Sequence, residues 1–261
     1  MVKNYKENLF LGIDIPVNDF ITIKQPTLRD VLYYNLDEAK NPIVPEFDTG
    51  ERGYFKMISV LTSTPADYDV QLEDAGVRYE DVNQLDFFFD LVKTYEFTPN
   101  ITQCVFGDLD LTGFDRYVDE KTQKPVFVNG DGVRIDEILY RYIMQIVRDM
   151  HNLKENKTRW GDEASRKMHM DYEHKRAKRK KHHEDAKPII IPLISMMINL
   201  PGFKYSRETV MDLNIYFFYD CLKQQLHNQQ VDHLMTGVYV GLIDTKKMNL
   251  EEALNMIRKD M

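Results

Sequence analysis

Cysteine occurs twice in 261 residues and tryptophan once. Cys104 and Cys221 lie far apart inside apolar segments, which argues against a disulfide framework and for buried thiols in a reducing compartment. Long hydrophobic runs are scarce too. The most apolar stretch, IIIPLISMMINL at 189–200, covers 12 residues around an internal proline. A membrane-spanning helix needs about 20 residues, so this stretch is expected in a core. The opening MVKNYKENLF has no long apolar region of the kind that starts a secretory signal, and a soluble, cytoplasmic chain is expected. A Gly-rich phosphate loop, HExxH, CxxC and a nucleophile elbow are all missing. Among 42 acidic residues no carboxylate pair stands out. The expectation is a non-enzymatic protein without metal or cofactor.

What is present is a globular composition, 43% hydrophobic and 29% charged, with 15 Tyr and 14 Phe. Such a chain can bury a substantial core as one large domain or two small ones. The net charge of −8 disfavours a general nucleic-acid binder. The charge is uneven, however. Residues 166–183 hold eight Lys or Arg against Asp171 and Glu173, a local +6, which leaves −14 for the rest.

The alternation in LFLGIDIPVNDFITIKQP suggests a small β-hairpin. TLRDVLYYNL starts a helix at Thr27, with Asp30 completing a capping box. NPIVPEFDTGERG reads as a loop and YFKMISVLTS as helix. Thr64 then caps a helix with Pro65 at its first position and Gly76 as its stop. Val82, Leu85, Phe88, Phe89 and Val92 recur at helical spacing. KPVFVNGDGVRI suggests a second hairpin turning at Asn129-Gly130. It leads into a helix whose apolar face is Ile138, Leu139, Tyr142, Ile143, Ile146, Val147 and Met150. Three further helices are expected: one capped by Ser206, one over VDHLMTGVYVGLI, and one capped by Asn249. The fold class is mainly α, with one or two small β-hairpins and a charged helical or mobile insert. The chain divides into an N-terminal part at 1–153, a charged basic segment at 154–186 and a C-terminal helical part at 187–261.

The densest feature is YEHKRAKRKKHH at 172–183, with Lys175, Arg176, Lys178, Arg179, Lys180 and Lys181. A helix here would carry charge on every side and would not dock by an apolar stripe. The leading reading is a solvated helix or excursion, since charge runs usually face solvent. The sharper reading is electrostatic docking to an acidic protein. Nucleic-acid contact comes third, because interleaved aromatics are missing apart from Tyr172 at the edge. His169, His174, His182 and His183 cluster in the same region, but cationic neighbours and the lack of Cys disfavour a zinc site. DLDLTGFDRYVD at 108–119 echoes a calcium loop. Asp119 stands where that loop needs a bidentate Glu, and Asp115 stands at an aliphatic position, so a turn with capping aspartates is favoured. Gly237 and Gly241 allow close helix packing, internal in the first place and an oligomer seam in the second. Phe87, Phe88 and Phe89 form a run that a single narrow helix stripe cannot bury. Wide burial is the default, with one of the three facing a partner as the alternative.

Taken in order, IKQPTLRDVLYY, YFKMISVLTSTPADYDVQLEDAGVRYEDV, FGDLDLTGF, NLPGFKYSRETVMDLNIYFFYD and HLMTGVYVGLIDTKKMNLEEALNMI resemble the tail assembly chaperone-like proteins of phages and prophages of Gram-positive bacteria. The resemblance covers most of the chain, least at 154–186. It implies a mostly helical, non-catalytic factor of the host cytoplasm that coats the apolar tape measure protein while tail tube subunits polymerise. Such a factor is absent from the finished virion. It implies no catalytic residues and leaves homo-oligomerisation open. The alternatives are a virion structural protein, such as a tail or head–tail connector component, and a nucleic-acid-binding phage protein using 166–183.

Overall fold

The computed structural model describes residues 5–157, 161–180, 189–243, 249 and 253–256, with the backbone alone at 177–180. Ten α-helices and two small antiparallel sheets make up these residues, the mainly helical class with small β elements that the sequence implies. No helix among the described residues is long and apolar enough to cross a membrane.

The first surprise is at the start. Tyr5–Leu11 forms a helix (α1), so Leu9 to Leu11 are not part of the alternating hairpin. The hairpin follows, pairing Ile15–Pro16 (β1) with Thr22–Ile23 (β2). The Asn18 side chain shapes its turn by accepting from the Phe20 and Ile21 amides at 2.9 and 2.8 Å. Leu28–Leu32 (α2) opens on the expected capping box, with the Thr27 amide donating to Asp30 at 2.7 Å.

Gly50–Thr62 (α3) starts earlier than the expected loop allows. Gly53 explains how: a Cβ there would overlap the Asp48 carbonyl oxygen, so glycine lets the helix begin against its own lead-in loop. Thr64 caps a 3-10 turn at Pro65–Tyr68 that runs into Asp69–Asp74 (α4) and stops at Gly76, as expected. Gln84–Thr94 (α5) is capped by Asn83, which accepts from the Leu85 and Asp86 amides. Pro99–Phe106 (α6) follows.

Phe114–Val118 (β3), Pro125–Asn129 (β4) and Arg134–Asp136 (β5) form a sheet in the order β3-β4-β5. The hairpin of the last two is the expected one, although Gly132, not Gly130, takes the positive φ at its turn. Glu137–Met150 (α7) begins at the cap Asp136. Its buried face is rotated from the expected one. Tyr140 and Met144 are buried and Ile138 is 67% exposed, because the helix packs between α3 and α5 and is approached from two sides.

The centre of the molecule is α3, α5 and α7, with Tyr54, Met57, Ile58, Leu85, Phe88, Phe89, Val92, Ile143, Val147 and Met150 all buried. Each such side chain contributes about 1.5–3 kcal/mol on leaving water. Ile190–Ile198 (α9) adds Ile190, Ile194 and Met197 to this core. Beyond it, two expected helices are one: Ile215–Tyr239 (α10) runs unbroken and is capped by Asn214, not Ser206. Ser206 instead organises a 3-10 turn at Thr209–Asp212. The expected helix after Asn249 lies mostly outside the described residues. Backbone bonds from Leu28 to Leu213 and from Ile215 to Pro26 stitch α10 to the hairpin region. Val210, Ile215 and Phe218 share the buried cluster of the N-terminal helices, so the C-terminal stretch does not carry a separate core.

Candidate functional site

Glu163–Lys180 forms a helix (α8) through the basic segment. It is not free of the body. Arg166 is buried and reaches Asp69 at 3.3 Å and Glu73 at 2.6 Å, both on α4. Met170, one turn on, is also buried, and His174 approaches Asp74 at 3.6 Å. The leading reading of a solvated helix or excursion is therefore corrected on one side: without an apolar stripe, α8 meets the acidic face of α4 through one arginine and one methionine. Deleting one partner of a buried ion pair exposes the cost of desolvating the other. Arg166→Ala is expected to weaken the α8–α4 contact by about 2 kcal/mol, below the full buried-pair cost because Glu73 is half exposed. Trypsin should then cut within α8 about 30-fold faster while the body keeps its urea midpoint. Unchanged cleavage would show that Arg166 does not hold the helix.

With that face fixed, the opposite side of α8 points to solvent. It carries Lys167, Met168, Asp171, Tyr172, Lys175 and Arg176, all exposed. Arg176 reaches Glu173 at 3.2 Å. The side chains of Lys178, Arg179 and Lys180, and Lys181 altogether, lie outside the described residues. So do His182 and His183, while His169 sits half-buried toward α4. Among the described residues no group of three His, Cys, Asp or Glu could hold a metal.

The phenylalanine run takes the default of wide burial, and the partner-facing alternative is the reading corrected. Phe87, Phe88 and Phe89 are 8, 3 and 1% exposed, so none is available to a partner. The helix α5 is covered on several sides. Phe87 meets Tyr68 edge-on at 5.3 Å, Phe88 lies 5.1 Å from Tyr140 on α7, and Phe89 stacks on Phe127 of β4 at 4.0 Å. The stretch resembling a calcium loop is a pair of aspartate turns. Asp110 accepts from the Thr112 amide and hydroxyl, and Asp119 accepts from the Lys121 and Thr122 amides. Arg134 beside Asp119, at 2.6 Å, holds its carboxyl well below the usual carboxylate range. Of the two glycines near the end of α10, Gly241 lies just past it with φ +73° and stops the helix. The Leu242 amide donates back to Gly237 and the Gly241 amide to Val238. Gly237 makes room for Ile243. The pair closes a helix end against its own chain.

A cleft of about 700 Å3 opens beside α3, α4, α7 and α10. Phe55, Tyr68, Tyr95, Leu153, Ile189 and Tyr219 give it an aromatic and aliphatic stretch, beside the polar Ser59, Ser63, Asp67, Gln71 and Lys154. His151 forms its floor and is buried. Its Nε2 lies 2.7 Å from the Tyr54 hydroxyl and its Nδ1 2.7 Å from the Val147 carbonyl. This pairing fixes one neutral tautomer, with Nδ1–H donating to Val147 and Nε2 accepting from Tyr54. Burial pushes the His151 pKa down to about 4. Burial also raises the Cys104 thiol to about 12 and the Cys221 thiol to about 11, which leaves both unreactive at neutral pH. Sequence reasoning missed the cleft because its wall draws single residues from six stretches of chain; only Leu153 and Ile189 stood next to the charged segment already singled out.

Residues 180–258 match the family model described as the YomV second domain. That family is associated with phages and prophages and takes its name from Bacillus YomV. The YomV match begins at the last residue of α8 and covers α9 and α10. Its first half supplies Ile190, Ile194, Val210 and Phe218 to the core, while Tyr239, Val240 and Leu242 at its far end are exposed. No curated protein and no solved structure matches the chain.

Proposed function

We propose that the protein is a non-catalytic assembly chaperone of phage tail morphogenesis, acting in the host cytoplasm. It engages the tape measure protein, and with it tube subunits, while the tail is built. The observation that carries this reading is the match of 180–258 to a phage-associated module. The cleft supports it, because an aromatic stretch with a polar rim accepts an amphipathic helix, and a long helical partner offers many such faces. Weak, repeated contacts of that kind gain strength along one partner by multivalency. The exposed end of α10 favours one other reading, a permanent interface in the particle, and so a virion structural protein.

A tagged pull-down from phage-producing cells with nuclease present, alongside mass spectrometry of purified particles, separates the two. Recovery of the tape measure protein without this chain in virions is the expected result. Stoichiometric presence in particles would make it structural. Leu153→Asp, at the half-open wall of the cleft, should cut recovery of the tape measure protein by about tenfold or more. Replacing Lys175 and Arg176 by Glu should leave that recovery unchanged.

A further inference from the structure

The outward side of α8 is a second surface, separate from the cleft. The inward side is set by Arg166 and Met170, so Met168 and Tyr172 must face out together, one turn apart. They do, at 77 and 62% exposure. Lys167, Lys175 and Arg176 flank them, all exposed. In the sequence the same helix continues through Lys178, Arg179 and Lys180. From Met168 to Arg176 the stripe runs about 12 Å along the helix at 1.5 Å per residue, the length of two turns of a partner helix.

Three observations say what could cover it. The positive charge is only partly matched in place: Arg176 pairs with Glu173, Asp69, Glu73 and Asp74 face Arg166 and His174, and Lys167 and Lys175 have no ion pair among the described residues, with Asp171 the one exposed carboxylate on their side. The remainder of the chain carries a net charge of −14, which disfavours an acidic partner elsewhere. Met168 and Tyr172 are apolar or half-apolar contacts set between cations. A phosphate backbone has no use for Met168, and a single tyrosine is not a stacking platform. Two apolar side chains are also too few to seat a helix in a membrane surface. We propose that the outer face of α8 docks an acidic amphipathic helix of a partner protein, Met168 and Tyr172 meeting its apolar residues and the Lys and Arg side chains meeting its carboxylates. This inference does not depend on the tape measure reading.

The test uses the full chain and a fluorescein-labelled helical peptide of about three heptads, leucine at the apolar positions and glutamate elsewhere. Fluorescence anisotropy should show saturable binding that weakens with salt. K175E/R176E should lose about 30-fold in affinity and M168A/Y172A about fivefold, while Leu153→Asp binds as well as the parent chain. Both double variants leave Arg166 and Met170 in place, and circular dichroism checks that α8 persists. Failure of Leu153→Asp to recover the tape measure protein, with peptide binding intact, would leave the two surfaces independent. Three results overturn the proposal. One is equal binding of the peptide by K175E/R176E. Another is tighter binding of oligo-dT or phosphatidylserine vesicles than of the peptide, with M168A/Y172A unaffected. The last is a salt-sensitive dimer that forms without peptide and dissolves in K175E/R176E, which would make a second copy the occupant.

Discussion

Replacing Phe89 by alanine is expected to lower the free energy of unfolding by about 4 kcal/mol, enough to bring a marginally stable domain near its threshold. Three surfaces meet at this ring. It stacks on Phe127 at 4.0 Å with 14° between the planes, lies 5.4 Å from Phe114, and meets Phe88 edge-on at 5.1 Å. Truncation removes the packing of α5 against the β3-β4-β5 sheet and leaves a cavity walled by aromatic rings that cannot collapse into it. Urea unfolding followed by circular dichroism measures the loss. Phe87→Ala, at a more exposed position, should cost less. A Phe89→Ala protein with near-parental stability but no partner binding would restore this run to the surface and contradict the packing described here.

Acid should destabilise the protein through His151 well before the bulk of its carboxylates titrate. In the folded chain this imidazole is neutral, with a pKa of about 4, against 6.5 when exposed. The folded pKa is depressed, so between pH 6.5 and 4 the unfolded state binds the extra proton. Stability is therefore complete above about pH 6.5, falls as the pH drops and levels off below about 4. The full change is about 3 kcal/mol. His151→Asn keeps an acceptor for Tyr54 but cannot titrate. It should be less stable than the parent at pH 7 and should close that gap by pH 4.5, when urea midpoints are compared. Parallel curves for the two proteins would remove His151 as the cause.

Elements with local chemical punctuation were legible in the sequence. Thr27 with Asp30, Thr64 with Pro65, and the final Gly76 each satisfy or end a helix by neighbours within four residues, and each behaves as expected. Pro99 after Thr98 is the same signal and was there to be read for α6. The strand β3 was hidden because its exposed positions, Asp115 to Val118, carry no apolar alternation; it exists because Phe114 is buried and β4 offers a free edge. The division between two C-terminal helices failed because Gln229 and Gln230, between the two expected stretches, continue α10 without a break, and the stop comes only at Gly241. At the candidate surfaces the charge of α8 was visible and its orientation was not. That depended on Asp69 and Glu73, almost a hundred residues earlier, a pairing that no spacing within the basic segment can express.

The backbone bonds joining Pro26 and Leu28 to Ile215 and Leu213 bear on how the polypeptide reaches this shape during synthesis. The edge of the early hairpin region waits for a partner that the ribosome delivers some 190 residues later, and the pocket for Phe218 stays open until then. Loop closure over that separation slows the last step, and the apolar helices made first must stay collapsed yet unsealed in the meantime. A nascent chain stalled before residue 215 would therefore present the sticky half of an unfinished core, the kind of species that general cellular chaperones retain.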